Sequence, residues 1–289
     1  MKIGFIGLGV MGLPMALNIV NKSGNEVWGY DVSEKQLDIF SLASGKKALS
    51  AEQLFENCDI TFLSLPTNQL VCAYLDLGIK HANRGAIIVD LSSSYPAVIR
   101  ERKSAAAAAG VGLVDCPVSG GEPAAKAGTL ASMCGGTDED IAVVRPYLEM
   151  FSSSVIHMGD IGCGYAAKLA NNMIIGSEIA VIAEALNYVE LAGLDKNRWF
   201  EAIRRGGAGS NVLEIKGPKM LSKDYSASST LAVHLKDQRN AIRLAQETGA
   251  YMPFCTMATE MMAKLEEQGR SKEDVAVIAE LFSAISNAE

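Results

Sequence analysis

The sequence predicts a doubly wound parallel α/β sheet over residues 1–162, then an all-α domain over residues 163–289, joined through a long interdomain helix. Three observations lead there. Short apolar runs alternate with helical segments up to about Cys163, and no convincing strand follows that point. The most apolar helix candidate, Ala166 to Ala192, begins where the character changes. Alternation of this kind implies βαβ units wound on both faces of one sheet.

The expected strands are Ile3–Ile6, Val27–Tyr30, Ile60–Leu65, Ala86–Leu91, Gly112–Asp115, Ala131–Cys134 and Val155–His157. The early ones are continuous apolar runs, as parallel strands covered on both faces require. Helical segments such as Ser33–Ala43 and Pro96–Ala109 separate them. Beyond Cys163, Gly193, Gly206–Gly209, Gly217-Pro218 and Gly249 mark turns between helices. The Ala166–Ala192 stretch is interrupted by Lys168, Asn171, Asn172, Glu178 and Glu184, so a buried helix is expected and not a membrane span.

The first strand runs directly into Gly7-Leu8-Gly9-Val10-Met11-Gly12, and a helix-like run from Pro14 to Val20 follows. Each glycine has a physical task. Gly7 permits the tight turn, Gly9 lets the backbone approach a pyrophosphate, and Gly12 lets helix and strand pack closely. The helix N-terminus then offers N–H groups and a positive dipole end to the phosphates. The second strand ends at Asp31, about twenty residues past the last glycine, where a ribose-binding acid belongs. In this context the pattern is the fingerprint of a Rossmann-type dinucleotide-binding domain. Asp31 would accept hydrogen bonds from the adenosine ribose and repel a 2′-phosphate. Val32 and Ser33 follow it, with no arginine, so NAD is favoured while NADP stays possible.

Lys168 and Asn172 lie four residues apart, on one face of the long helix. A lysine among alanines, leucines and isoleucines is costly to bury charged, and a lysine so perturbed can give or take a proton near neutral pH. The plainer reading is a lysine snorkelling from the first turns of a helix. The glycine loop ahead of it favours the chemical one.

Other polar groups leave the strand ends, the edge where open α/β sheets bind ligands. In Asp115-Cys116-Pro117-Val118-Ser119-Gly120-Gly121, the Ser119 hydroxyl and the N–H groups of Gly120 and Gly121 form a possible carboxylate cradle, or a plain polar loop. In Asp90-Leu91-Ser92-Ser93-Ser94-Tyr95-Pro96, Ser94 suits an N-cap. Leu65-Pro66 can pack against a cofactor ring. Lys236-Asp237, adjacent on a helical stretch Leu231 to Ala245, reads on its own as solvated surface, as does Lys126.

Composition excludes several classes. A net charge of −7 argues against a nucleic-acid surface. Cys58, Cys72, Cys116, Cys134, Cys163 and Cys255 form no C-x-x-C pair, which fits free thiols in a reducing compartment. His81, His157 and His234 have no metal-ligand spacing, and no G-x-S-x-G elbow appears. The first strand begins at residue 2, so no targeting segment and a cytoplasmic location are expected. The helical domain is small for covering both the long helix and its own core, so a homodimer or homotetramer is expected.

Together the motifs at Gly7–Gly12, Asp115–Gly121, Gly162-Cys163-Gly164-Tyr165-Ala166-Ala167-Lys168-Leu169-Ala170-Asn171-Asn172 and Lys236-Asp237 are in order along the chain. With them the sequence resembles the β-hydroxyacid dehydrogenases, the family of 3-hydroxyisobutyrate dehydrogenase and tartronate semialdehyde reductase. The resemblance implies Lys168 as catalytic acid/base, Asn172 holding substrate, and Ser119, Gly120 and Gly121 receiving its carboxylate. It implies that Ser93 and Lys236 touch cofactor or active site. Gly206–Leu213 and Val233–Asp237 look closest to the tartronate semialdehyde reductase branch, with 3-hydroxyisobutyrate, L-threonate and sulfonated short acids as other substrates. Ser93 stands where threonine is usual, Thr67 for asparagine and Cys116 for alanine. Ala227-Ser228-Ser229-Thr230 departs from the usual glycine-aromatic pair in a segment that shapes the pocket. A dinucleotide-binding protein without catalysis is the alternative of another class; retention of Lys168 with Asn172 speaks against it.

Overall fold

A computed structural model describes residues 1–286, and the chain divides into two compact units, Met1–Lys168 and Leu169–Glu289. The sequence places its boundary at 162/163, where the long helix starts; the division lies inside that helix, which runs Cys163–Leu191.

The first unit carries β1 (Lys2–Ile6), β2 (Glu26–Tyr30), β3 (Lys46–Lys47), β4 (Ile60–Leu63), β5 (Ile87–Asp90), β6 (Gly112–Asp115), β7 (Val118–Ser119), β8 (Leu130–Gly135) and β9 (Ser152–Gly159). They form one sheet in the order 3-2-1-4-5-6-8-7, with β9 also on β8. Strands β1 to β6 pair in parallel with one another; β8 is antiparallel to β6 and β7, and parallel to β9. The winding reverses between β1 and β4, which makes the crevice at their carboxyl ends the topological switch point. Helices Gly12–Ser23, Glu34–Leu42 and Asn68–His81 provide crossovers.

Phe5 and Phe62 are register partners on β1 and β4, and their rings stack at 5.9 Å. Phe151 meets Phe62 edge-on at 6.2 Å. Burying each ring stabilises the sheet by about 1.5–3 kcal/mol.

Three local expectations change. The two-residue strands β3 and β7 have no apolar run to announce them, since each is held by a single neighbour in the ladder. The β4 and β5 ladders stop at Leu63 and Asp90, leaving Leu65-Pro66 and Leu91 in the loops. The expected helix 96–109 is two helices, Pro96–Arg100 and Lys103–Ala109. At the break the Arg102 guanidinium donates to Val98 O at 2.7 Å and grips Asp76 through two bonds, while the Arg102 N–H bonds Ile99 O instead.

The second unit is helical: the long helix continues into it, followed by Lys196–Ile203, Asn211–Ser222, Leu231–Thr248, Pro253–Glu267 and Ile278–Ser286. Among the described residues its β pairing is one isolated bridge, Thr230 to Asp274. Ile179, Ala183 and Leu186 of the long helix pack with Phe200, Leu213, Leu235, Met262 and Val275. The long helix is long and apolar enough to cross a membrane by length and composition alone, and 44% of its most apolar window is buried inside the protein.

Candidate active and cofactor-binding site

The glycine loop Gly7–Gly12 leaves β1 at the switch point, and each glycine has a different steric reason. Gly7 has φ +89°, and a Cβ there would stand 2.2 Å from Ser64 O on the neighbouring strand's exit. A Cβ on Gly12 would fall 1.9 Å from Gly7 O. A Cβ on Gly9 would meet nothing within 4 Å, so that face of the loop is open. Asp31 closes the other side: its Oδ2 accepts from Leu8 N at 2.6 Å and its Oδ1 from Ser33 N at 2.7 Å. A carboxylate has about four lone-pair sites, so both oxygens keep capacity for ribose hydroxyls. Helix Gly12–Ser23 enters with no side-chain cap from Met11. Val10 is exposed and Leu8 buried. An open turn, a helix entry and an oriented acid are the parts that hold a dinucleotide, so the residues fit NAD(P).

The neighbouring strand exits join this edge. Leu65 N donates to Ser92 Oγ at 2.8 Å, and Ser92 N and Oγ both reach Asp90 Oδ1, at 3.0 and 2.6 Å. Ser93 beside it is half-buried and Pro66 exposed. Ser94 is not the N-cap expected of it: Tyr95 holds that position, and Ser94 Oγ donates to Asn68 Oδ1 at 2.8 Å instead. Ser119 lies in β7 opposite Ala131, at the mouth of a turn where Gly120 and Gly121 have φ +136° and +72°. Lys126 pairs with Glu122 at 2.6 Å on the surface, as its solvated reading anticipated.

Lys168 is buried, with 7% of its surface exposed. One helical turn earlier, Tyr165 is fully buried between two buried carboxylates. Its N–H donates to Asp115 Oδ2 at 2.7 Å, and its phenol donates to Asp90 Oδ2. Gly162 N donates to Asp115 Oδ1 at 2.6 Å. Burial pushes Asp115 up to about 7 against those two bonds, and the Asp90 charge adds to the rise. Burial beside the same acids lifts the Tyr165 phenol well above its ordinary range.

In the second unit Asn172 is buried, and its Nδ2 donates to Asp237 Oδ2 at 2.7 Å. Gln238 Nε2 donates to Asn172 O at 2.7 Å, and Cys255 donates to Gln238 Oε1 at 2.8 Å. Gly176 makes room: a Cβ there would lie 1.9 Å from Gln238 Nε2. Asn171 Nδ2 reaches Asn172 Oδ1 at 2.9 Å. The Lys236-Asp237 pair is therefore not the solvated surface expected from its spacing. Asp237 is 4% exposed, and Lys236 Nζ comes to 3.3 Å from its Oδ1, an ion-pair contact without hydrogen-bond alignment.

Sequence reasoning missed the burial and hydrogen bonding of Tyr165, Asp90, Asp115 and Asp237. A signal was present in Asp90 and Asp115, each a carboxylate closing an apolar strand. Among the described residues no His, Cys, Asp and Glu cluster suits a metal ion. His157 bonds Gly136 O and Gly159 O, and His234 bonds Ser229 Oγ, which are ordinary packing roles.

Residues 2–159 match the family described as the NAD binding domain of 6-phosphogluconate dehydrogenase, and residues 162–282 the NAD-binding domain of NADP-dependent 3-hydroxyisobutyrate dehydrogenase. The chain is 31% identical to 2-(hydroxymethyl)glutarate dehydrogenase of Eubacterium barkeri, over 99% of this chain and 96% of that one. It is 30% identical to 2-hydroxy-3-oxopropionate reductase of Escherichia coli, over 99% of each. Among solved structures it is similar to Mycobacterium tuberculosis 3-hydroxyisobutyrate dehydrogenase with L-serine, with TM-score 0.88 and 28% identity over 97% of this chain and 98% of that one.

Proposed function

The chain belongs to the β-hydroxyacid dehydrogenase family, NAD(P)-dependent oxidoreductases acting on CH–OH donors, and from that premise we propose that it interconverts tartronate semialdehyde and glycerate with NAD. The observation that carries the chemistry is a buried Lys168 one helical turn from Asn172, whose amide Asp237 holds in place. NAD(P) held by the Gly7–Gly12 loop and Asp31 would supply the hydride exchange at the carbonyl or alcohol carbon. Lys168 donates a proton to the oxygen as the aldehyde is reduced, and its neutral amine removes the hydroxyl proton in the reverse direction. Such general acid–base help is worth about 10²–10⁴-fold. Asn172 orients the substrate, and the N–H groups of Gly120 and Gly121 with Ser119 Oγ receive its carboxylate. Lys236 adds a cation to the site. Asp31 supports NAD over NADP.

The substrate choice rests on the Gly206–Leu213 and Val233–Asp237 segments and on the similarity to 2-hydroxy-3-oxopropionate reductase. A second reading has a specific support: the comparable similarity to 2-(hydroxymethyl)glutarate dehydrogenase favours a longer acid with a second carboxylate. We also infer a homo-oligomer, since Ile174, Val181 and Tyr188 recur every seven residues on the long helix and are 59%, 59% and 70% exposed. Sedimentation as a monomer at working concentration would refute it.

The test follows loss of NADH absorbance with tartronate semialdehyde, beside methylmalonate semialdehyde and beside NADPH. Fast turnover with tartronate semialdehyde and NADH supports the reading. A Lys168→Ala variant should lose about 10²–10⁴-fold in turnover while binding NADH normally; near-normal turnover would remove Lys168 from the mechanism. NADH binding without turnover on any acid semialdehyde would leave a dinucleotide-binding protein.

A further inference from the structure

We propose that Asp115, acting with Asp90 through Tyr165, is a positioning residue for Lys168: the two carboxylates clamp the first turn of the long helix onto the sheet edge and so fix where the lysine ammonium stands. The inference rests on Lys168 being the general acid/base. It concerns residues of the first unit alone.

The geometry is specific. Asp90 and Asp115 are register partners at the carboxyl ends of β5 and β6, and both are fully buried. Asp115 takes one N–H on each oxygen, from Gly162 and Tyr165, the two sides of the helix start. Asp90 takes the Tyr165 phenol on one oxygen and Ser92 on the other, and Ser92 in turn accepts from Leu65 N. A chain of hydrogen bonds thus runs from the exit of β4 through β5 and Tyr165 to the helix. Tyr165 and Lys168 are three residues apart, neighbours on one helix surface. A lysine carried on so short a lever moves with the turn that bears it.

The sequence around the clamp is cut to fit it. A Cβ on Gly164 would lie 2.5 Å from Asp115 O and 2.9 Å from its Oδ2. A Cβ on Gly135, the β8 partner of Asp115, would lie 2.5 Å from Asp115 Oδ1. Gly162 has φ +86°, a backbone that side chains rarely adopt. These three glycines let the helix start and β8 close around one carboxylate. Anchoring a helix could be done with one capping serine; two buried acids and a buried phenol over-determine the position. Over-determination matters where a proton must be placed, because a misplacement of about 1 Å costs on the order of 10²-fold in rate.

The test uses full-length Asp115→Asn and, as the milder change, Tyr165→Phe, which removes only the hydroxyl bonded to Asp90. Three readouts are compared with wild type: kcat with NADH and with 4-deuterated NADH, NADH affinity by fluorescence, and amide hydrogen exchange over residues 160–172. The expected result is a fall in kcat of about 10- to 100-fold, a larger primary isotope effect, NADH affinity within about twofold, and faster exchange at the helix start in Asp115→Asn. A smaller folded fraction lowers kcat but leaves the isotope effect alone, so an unchanged isotope effect would overturn the proposal. Unchanged exchange in Asp115→Asn would overturn it as well. Wild-type protein inactive on every acid semialdehyde would defeat the function itself, and the exchange readout would still decide whether Asp115 holds the helix.

Discussion

Asp237 accepts a 2.7 Å hydrogen bond from the side-chain amide of Asn172 and, through its other oxygen, lies 3.3 Å from Lys236 Nζ. One buried carboxylate therefore sets two of the groups assigned to substrate and cofactor. It also fixes which way the Asn172 amide faces, since the bonded atom must be the nitrogen.

Replacing Asp237 with alanine should raise the substrate KM about tenfold and cost about 1–3 kcal/mol of stability, because the Asn172 amide is left buried without its acceptor. Asp237→Asn keeps an acceptor and should recover most of the stability but not the hold on Lys236. Steady-state kinetics and thermal melts of both variants check this; equal KM values in wild type and Asp237→Ala would contradict it.

Gly9 and Gly12 should separate binding from folding. The Gly9→Ala methyl points into open space, so the melting temperature should stay near wild type while NADH affinity falls at least about tenfold, as a backbone that must approach a pyrophosphate predicts. The Gly12→Ala methyl would sit 1.9 Å from Gly7 O, and overpacking of that kind costs about 1–3 kcal/mol. Melts and NADH titrations of the two variants should rank them oppositely.

Asp115 should make stability fall as the pH rises. Its native value is about 7, against 3.8 ordinarily, so the folded state binds the proton more tightly than the unfolded chain. Its contribution is complete below about 4 and lost as the pH climbs through about 7. Asp90, Tyr165 and the Cys116 thiol face it. Asp115→Asn lacks the titration, so the melting-temperature gap in favour of wild type should be wider at pH 5 than at pH 8. A gap that is constant or widens with pH would contradict the sign.

Asp274 should behave in the opposite sense. It is fully buried and gathers Lys216 Nζ at 2.8 Å, Ser228 Oγ at 2.6 Å, and the N–H groups of Ser228, Ser229 and Ala276. Burial pushes its carboxyl up, but Lys216, Ser228 and Ala276 outweigh it and hold it well below the ordinary range. Its stabilisation is present above about 4 and is lost as the pH falls further. Breaking a buried pair strands the remaining charge, so Asp274→Ala should cost about 3–5 kcal/mol. It should also loosen residues 227–230, where Asp274 holds the N–H groups of Ser228 and Ser229; hydrogen exchange there and acid melts read both effects.

What the sequence by itself determined was whatever depends on local chemistry. Apolar runs of strand length, the glycines at 7, 9 and 12, the acid at 31 and the spacing of Lys168 and Asn172 are legible because backbone sterics and helical period act over a few residues. The switch point between β1 and β4 needed the strand order, which alternation does not give. Only the tertiary structure decided the burial and partners of Asp90, Asp115, Tyr165 and Asp237. A carboxylate closing a strand, a tyrosine in a helix and an acid beside a lysine are each compatible with surface. Their burial comes from partners up to 75 residues away, Asp90 with Tyr165 and Asn172 with Asp237. Long-range hydrogen bonds leave no periodic trace in the chain, because what selects them is the desolvation of a polar group once the fold has closed around it.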